Sequence, residues 1–206
     1  LEQNKMLRNN IKINRIKNIK VNKYGLWSHS KKKLKLIGYD SFASSILAPY
    51  SSDGFKTITI DEYCFSKKIN LGLIHLDIEG SEVKALEGAK KTITRDKPVI
   101  IFEIHSKYVD WSQGLENTKI CKMLLKENYT IFAVRDFHHH QEMKNKPIEL
   151  IPLKKIFLKG PPHGFNMIAI TNKIILRNLK YKIVENVSPK LLLHKNPKFH
   201  HPIGGM

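Results

Sequence analysis

The chain has 206 residues and a mass of 23.9 kDa, which is enough for one ordinary domain with a substantial core and too little for an array of modules. Its 36 Lys and Arg residues exceed its 18 Asp and Glu residues, and 31 of the 36 are Lys. Because nucleic-acid recognition also uses the planar guanidinium of Arg, composition alone does not define a nucleic-acid binder. No apolar run approaches the ~18 residues of a membrane span, and residues 1–4 do not resemble the start of a signal peptide. Cys64 and Cys121 form no paired motif. These observations predict a soluble cytoplasmic protein with reduced thiols.

The excess positive charge lies at the two ends of the chain. Residues 1–35 carry 11 basic residues and 1 acidic residue, residues 144–206 carry 12 and 2, and residues 36–143 carry 13 and 15. Basic ends of this kind leave open a second class of function, a module that binds RNA or an anionic membrane surface. The affinity of such a module falls steeply with added salt, which separates it from an enzyme.

Short elements separated by polar turns are predicted for the first third of the chain. Leu7 and Ile11, one helical turn apart among polar residues, predict an amphipathic helix over residues 1–17. Alternating apolar residues predict strands, and a Ser-rich stretch with Gly and Pro predicts a loop. In chain order, the strands lie within residues 18–27, 34–37 and 57–60, the loop covers residues 38–54, and a helix begins at Glu62 with Asp61 as its N-cap.

The middle of the chain alternates apolar strands with amphipathic helices. Strands are predicted at residues 73–78, 99–105 and 129–134, with helices at residues 81–94 and 115–128 between them. This order predicts an α/β fold on a parallel sheet with right-handed crossovers. The last predicted strand covers residues 165–171, so the domain is assigned to residues 1–171 and a basic C-terminal extension to residues 172–206.

Ionisable side chains follow two of the predicted strands. In open parallel sheets, ligands bind outside the carboxyl ends of the strands. The first of the two strands runs into DIEGSE at residues 77–82, three carboxylates with a glycine that permits a tight turn. The second strand ends in Glu103 and His105, which share one face because they are two residues apart. If the two strands are neighbours, all these groups converge on one crevice.

Several of these residues also have a structural explanation. Glu82 lies in the first turn of the predicted helix, where the macrodipole favours a carboxylate whatever the function, and Glu79 serves the same end equally well. His105 is explained equally well as a strand-end side chain that faces water. Asp77 and Glu103 each interrupt a strand that is otherwise apolar, and burying an unpaired carboxylate is costly, so a functional role is favoured for these two.

The central sequence resembles the FkbM-type methyltransferases. Their pattern is a strand of the form Lys-hydrophobic-Asp-Val-Glu-Gly-x-Glu, a helix with Leu-x-Gly-Ala, and a Pro-led apolar strand that ends in Glu. Residues 75–82 (HLDIEGSE), 86–89 (LEGA) and 98–103 (PVIIFE) follow this pattern in order and spacing, except that His75 replaces Lys.

Two further segments extend the resemblance to roughly residues 1–135. Residues 57–63 (TITIDEY) are similar to the family's Thr-hydrophobic-Asp segment, and Ser44 and Ser45 are similar to its loop serines. The resemblance implies a Rossmann-like class I methyltransferase sheet with helices on both faces. It also implies S-adenosylmethionine as the methyl donor and, as the small-molecule acceptor, a hydroxyl of a sugar, glycan or secondary metabolite.

Roles for particular residues follow from the resemblance. Asp77 is expected at the junction of donor and acceptor, and Glu103 or His105 is expected to be the base or to position the acceptor. The expected binding residues are Asp77, Glu79 and Gly80 for the donor and Ser44, Ser45 and Glu82 for the acceptor. The remaining histidines, such as His138, His139 and His140, lack the spacing that brings imidazoles to one ion, so no metal site is predicted.

One part of the family's pattern is not found. The family's domain opens with a strand and a glycine-rich turn that holds the donor, followed by a second strand that ends in an acidic residue. No GxG follows a predicted strand before Asp77, and the chain begins with Leu1. We therefore expect an N-terminally truncated domain, with its first strands missing, that binds S-adenosylmethionine poorly or not at all and is inactive alone.

Overall fold

The computed structural model describes residues 2–38, 43–49, 53–135, 147–158, 164–172, 176–177 and 180–189. In these residues, the fold is a mixed α/β arrangement with two sheets, one of four strands and one of six. This confirms the predicted α/β class. The strands are β1 Gly25–Leu26, β2 Lys33–Ile37, β3 Ser44–Ala48, β4 Phe55–Ile58, β5 Leu73–Leu76, β6 Val99–His105, β7 Thr130–Val134, β8 Ile148–Pro152, β9 Gly164–Ile170 and β10 Tyr181–Ile183. The α-helices are α1 Glu2–Ile13, α2 Ile60–Lys67, α3 Glu82–Glu87, α4 Lys90–Asp96 and α5 Lys119–Lys126.

The four-stranded sheet has the order β1-β4-β2-β3. It corrects two predictions. The sequence predicts a loop over residues 38–54, but residues 44–48 form β3, which pairs antiparallel with β2 and places Ser45 opposite Leu36 and Leu47 opposite Leu34. Most of the strand predicted at residues 18–27 is absent from the described structure, where only Gly25 and Leu26 pair, with β4. The Val21 carbonyl instead accepts a hydrogen bond from the Arg8 guanidinium.

The six-stranded sheet has the order β10-β8-β7-β9-β6-β5. Strands β5 and β6 are parallel neighbours, as the strand-helix-strand pattern predicted. Strand β7 runs in the same direction as β5 and β6, but β9 inserts between β6 and β7 and pairs antiparallel with both, so the sheet as a whole is mixed rather than parallel. The residues of β9 are almost all buried, which matches the apolar sequence of a central strand.

The predicted helix over residues 81–94 is two helices, α3 and α4, with Gly88 between them. The α-carbon of Gly88 lies so close to the Trp27 carbonyl that an added Cβ would stand 2.2 Å from its oxygen. Asp61 was predicted to cap α2, but Thr59 is the N-cap and accepts from the Glu62 N–H. The Asp61 carboxylate instead accepts from the backbone N–H groups of Lys91 and Thr92 and so stabilises the start of α4.

Helices α2 to α5 pack on one face of the six-stranded sheet. Their buried side chains join those of the sheet in one core, whose largest fully buried members include Leu76, Leu86, Phe102, Leu124 and Phe165. On the opposite face, at β5, Leu73 is 53% exposed. The predicted second layer of helices on that face stays a prediction.

The segment assigned to a C-terminal extension contributes to the six-stranded sheet. Tyr181–Ile183 forms β10 and pairs parallel with residues 148–150 of β8. Residues 190–206 lie outside the described residues, as do His138, His139 and His140. The domain boundary at residue 171 stays a prediction.

Asp96, at the end of α4, links stability to pH. Its carboxylate accepts hydrogen bonds from the Arg95 guanidinium at 2.6 and 2.7 Å and from the Leu71 N–H at 2.9 Å. The guanidinium first, and then the backbone N–H, lowers the pKa of Asp96 from 3.8 to about 2. A carboxylate with a depressed pKa in the folded state stabilises the protein above its unfolded pKa and loses that contribution as the pH falls through its folded pKa.

We therefore expect the Asp96→Asn variant to show a shallower loss of stability than the wild type between about pH 4 and pH 2. At pH 7 the variant is expected to be the less stable of the two, because the amide replaces a charged hydrogen-bond acceptor. Urea unfolding midpoints measured at pH 2, 3, 4 and 7 check both statements. An acid limb that is identical in the two proteins would contradict them.

Candidate active site

The ionisable residues after β5 and β6 meet at one edge of the six-stranded sheet. The two strands run parallel with Leu76 opposite Phe102, so their carboxyl ends lie side by side. One carboxylate oxygen from each of Asp77, Glu79 and Glu103 lies within 4.8 Å of the other two. Asp77 is exposed, and the other two are half-buried. The convergence predicted on the condition that the strands are neighbours is confirmed for Asp77, Glu79 and Glu103.

The turn after β5 has an unusual backbone that presents Glu79 to this site. Glu79 and Gly80 both have positive φ, at 52° and 91°, so the chain reverses within two residues. An added Cβ on Gly80 would lie 2.6 Å from Cγ of Tyr108, so the turn packs closely on that ring. The Tyr108 hydroxyl donates a hydrogen bond of 3.0 Å to Glu79 Oε2. Gly80 is therefore required by both its conformation and its contact.

Tyr108 is a member of the site that the sequence analysis missed. Burial first, and then the hydrogen bond to Glu79 and the charges of Glu79, Glu103 and Glu82, raises the pKa of Tyr108 to about 12. The hydroxyl is thus a stable donor at neutral pH. Tyr108 lies in the turn that follows β6, three residues after His105, and no local pattern in the sequence marks it.

Glu82 faces inward from the first turn of α3. It is 6% exposed, and its Oε1 accepts a hydrogen bond of 2.9 Å from the Ile78 N–H. Burial raises the pKa of Glu82, and backbone hydrogen bonds partly oppose this rise. Glu82 therefore closes the turn between β5 and α3. Its role in acceptor binding stays a prediction.

His105, at the end of β6, is held in one orientation. Its Nδ1 accepts a hydrogen bond of 3.0 Å from the Lys107 N–H, which assigns the proton of the neutral ring to Nε2. The ring lies 5.5 Å from the Tyr108 ring, centroid to centroid, at a tilt of 50°. A neutral His105 thus offers an N–H donor at Nε2 rather than a free lone pair.

Strand β9 supplies two further residues beside Glu103 that the sequence did not single out. Gly164 is the cross-strand partner of His105, and an added Cβ there would lie 2.8 Å from both Glu103 Oε1 and His105 Cδ2. Asn166 is the partner of Glu103 and is 3% exposed. Its Oδ1 is buried and has no hydrogen-bond partner among the described residues. The one local signal is the asparagine in an otherwise apolar strand; the positions of both residues beside Glu103 come from pairing with a distant strand.

The two serines predicted to bind the acceptor lie elsewhere in the fold. Ser44 and Ser45 are in β3, which is an outer strand of the four-stranded sheet, and they pair with Ile37 and Leu36. The carboxylates lie at the edge of the other sheet. The acceptor role of the serines stays a prediction.

A mixed α/β domain with a polar site at the carboxyl ends of adjacent parallel strands is an arrangement typical of enzymes that bind small molecules. The chain matches the Methyltransferase FkbM domain over residues 4–145 and belongs to this family, which confirms the resemblance seen in the sequence. The family indicates a methyltransferase with a methyl donor and a small-molecule acceptor. No curated protein and no solved structure matches the chain.

In the ranges that the structure describes, no helix is both long and apolar enough to cross a membrane.

Proposed function

We propose that this protein is an S-adenosylmethionine-dependent O-methyltransferase that acts on a hydroxyl of a sugar, glycan or secondary metabolite. The observation that carries the proposal is the convergence of Asp77, Glu79 and Glu103, with His105 beside them, at the ends of two parallel strands in an FkbM domain. Acceptor and donor must meet at such a point for methyl transfer to occur.

The chemistry of the donor suits these residues. S-adenosylmethionine supplies, when bound, a methyl group on a positively charged sulfur, and it also carries a positive ammonium group. Carboxylates attract both groups, and Asp77 and Glu79 are the two that follow β5. Gly80, whose α-carbon packs against Tyr108, keeps this turn compact. We assign Asp77, Glu79 and Gly80 to the donor side, with Asp77 nearest to the acceptor.

On the acceptor side, Glu103 and His105 have different roles. The Nε2–H of His105 donates a hydrogen bond to the acceptor oxygen and so orients it, because Nδ1 is already occupied by the Lys107 N–H. Glu103 takes the proton of the acceptor hydroxyl at a carboxylate oxygen. A positioned base of this kind typically contributes about 100-fold to 10,000-fold to a rate.

The proposed function is accompanied by expectations about the location of the protein and the strength of donor binding. We infer a cytoplasmic location, supported by two buried free thiols, Cys64 and Cys121. We also expect weak donor binding by these 206 residues, with a Kd of about 1 mM or weaker, because no glycine-rich turn precedes Asp77 in the sequence. The charge-based alternative, binding to RNA or an anionic membrane surface, has no specific observation in its favour among the described residues.

A labelling experiment tests the function. The protein is incubated with methyl-labelled S-adenosylmethionine at several millimolar and a panel of sugars, glycans and hydroxylated metabolites. The high donor concentration offsets the weak donor binding expected of these 206 residues. The proposed function, in contrast to the sequence-based expectation of a domain that is inactive alone, therefore predicts a labelled product whose new methyl group is shown by mass spectrometry and NMR to be on oxygen. Label that appears only on nitrogen, or no label above a protein-free control with any acceptor, would overturn the proposal.

A further inference from the structure

The three carboxylates at the ends of β5 and β6 form a compact set of oxygen atoms. Those of Asp77, Glu79 and Glu103 lie within 4.8 Å of one another, and Asp77 is exposed while the other two are half-buried. The Tyr108 hydroxyl donates a hydrogen bond to Glu79 and so fixes the position of that carboxylate. Such a set gains stability from a positive ion.

A second observation comes from the neighbouring strand. Asn166 is 3% exposed, and its Oδ1 is buried without a hydrogen-bond partner among the described residues. Leaving a buried polar atom unpaired is costly, so it indicates a missing partner. Asn166 stands directly opposite Glu103 in the antiparallel pair, and directly opposed residues project from the same face of a sheet. Asn166 and Glu103 therefore share one face of the sheet, and Glu103 is itself a member of the carboxylate cluster.

We propose that Asp77, Glu79, Glu103 and Asn166 form a binding site for a divalent cation with oxygen ligands, such as Mg²⁺, Mn²⁺ or Ca²⁺. Carboxylate and amide oxygens are the ligands of these hard cations, and the four residues come from three strand ends that the sheet holds together. The site departs from our sequence-based expectation that the chain holds no metal. That expectation considered the histidines and not the carboxylates.

The size of the set agrees with such an ion. Two ligands of one ion are at most twice the ion-to-oxygen distance apart, which is about 4.1 Å for Mg²⁺ and about 4.6 to 5.2 Å for Ca²⁺. The carboxylate oxygens, within 4.8 Å of one another, are in the range that one such ion spans, and a small side-chain movement closes them on Ca²⁺ and a larger one on Mn²⁺ or Mg²⁺. Three carboxylates leave the bound site with one net negative charge.

The cation also bears on the acceptor, and this part rests on the proposed function. An ion held by few protein ligands keeps positions for water or for oxygens of another molecule. An acceptor with two neighbouring oxygens, such as a vicinal diol, binds an ion through both. The hydroxyl bound in this way loses its proton more readily, and the Glu103 carboxylate oxygen that does not bind the ion receives it. Acceptors with vicinal hydroxyls are therefore the favoured class.

The site itself is tested without donor or acceptor. Free Mn²⁺ is measured by electron paramagnetic resonance during titration of the full chain, followed by competition with Ca²⁺ and Mg²⁺. We expect one Mn²⁺ to bind per chain and to be displaced by the other two ions. Glu103→Gln is expected to weaken Mn²⁺ binding at least 10-fold, because ligand charge sets affinity in such sites. Glu62→Gln is the matched control, since Glu62 is exposed on α2 and lies outside the cluster.

Two variants at Asn166 distinguish a ligand from a structural amide. Asn166→Asp keeps the oxygen and adds charge, so we expect Mn²⁺ to bind at least as tightly as in the wild type and to raise the melting temperature of this variant more. Asn166→Leu is expected to weaken binding. Failure of Mn²⁺ to bind the wild type, or equal affinities for wild type and Glu103→Gln, would overturn the site.

The outcomes for the cation site and for the proposed function remain separable. If methyl transfer is unaffected by EDTA and Mn²⁺ does not bind, the proposed cation site is contradicted and the proposed methyltransferase function is supported. Stoichiometric Mn²⁺ binding without methyl transfer to any acceptor leaves the cation site and removes the proposed function. If the protein both binds Mn²⁺ and transfers methyl groups, the KM for a vicinal diol is expected to be at least 10-fold lower than the KM for its mono-deoxy analogue, and only when Mn²⁺ or Mg²⁺ is added. Equal KM values would contradict the assignment of vicinal diols as the favoured acceptors.

Discussion

Replacing Asp77 by Asn is expected to lower kcat/KM for methyl transfer by about 100-fold or more. The amide has the shape of the carboxylate but not the charge, which in the proposed function faces the positive donor next to the acceptor. Asp77 is exposed at the end of β5, so the fold should not change. Initial rates with the labelled donor, on the acceptor identified by the labelling experiment, measure the effect.

The control for this experiment is Glu62→Gln, which makes the same kind of change on the surface of α2. Its activity is expected to equal that of the wild type, and both variants should have wild-type urea midpoints. If the Asp77→Asn protein retains more than about a tenth of the wild-type activity, the assignment of Asp77 to the junction of donor and acceptor is contradicted.

Replacing Gly88 by Ala is expected to destabilise the protein by about 3 kcal/mol. The new Cβ would stand 2.2 Å from the Trp27 carbonyl oxygen and 3.2 Å from Cβ of Thr59. Backbone atoms cannot turn aside as a flexible side chain can, so α3 and the segment after β1 must separate. The Asp61 N–H, which donates to the Gly88 carbonyl at 2.9 Å, is strained by the same movement.

Gly72→Ala provides a matched control, because an added Cβ at Gly72 meets nothing within 4 Å. Its change in the free energy of unfolding is expected to stay within about 0.5 kcal/mol. Urea unfolding of both variants at pH 7 measures the difference. Equal midpoints for Gly88→Ala and Gly72→Ala would show that the approach of Trp27 to Gly88 is not tight in solution.

The elements that the sequence predicted well are those whose pattern depends on their own residues. Strand β6 has the predicted bounds, because a continuous apolar run bounded by Pro98 and the turn after His105 leaves little choice. The break at Gly88 depends on Trp27, which is far away in the chain. Likewise, β3 exists because β2 lies beside it. Contacts between distant segments are not encoded in local periodicity.

The candidate site shows the same division. Asp77, Glu79 and Glu103 could be predicted to converge, because polar side chains at the ends of neighbouring parallel strands must meet. Tyr108 and Asn166 could not, since one depends on the path of the turn after β6 and the other on the insertion of β9. A buried asparagine in an apolar strand was the one local anomaly that could have indicated the second.

The insertion of β9 between β6 and β7 also has a consequence for folding. Strands β6 and β7 are near each other in the sequence, but in the described sheet β9 lies between them and pairs with both. Strand β9 comes after β6, β7 and β8 in the chain. A nascent chain that has exposed β5 and β6 therefore lacks the partner for one edge of β6. Loop closure over long separations slows folding. Glu103 and His105 reach their final surroundings only in this late step, so a chain arrested before β9 contains the recognisable family motifs without a completed site.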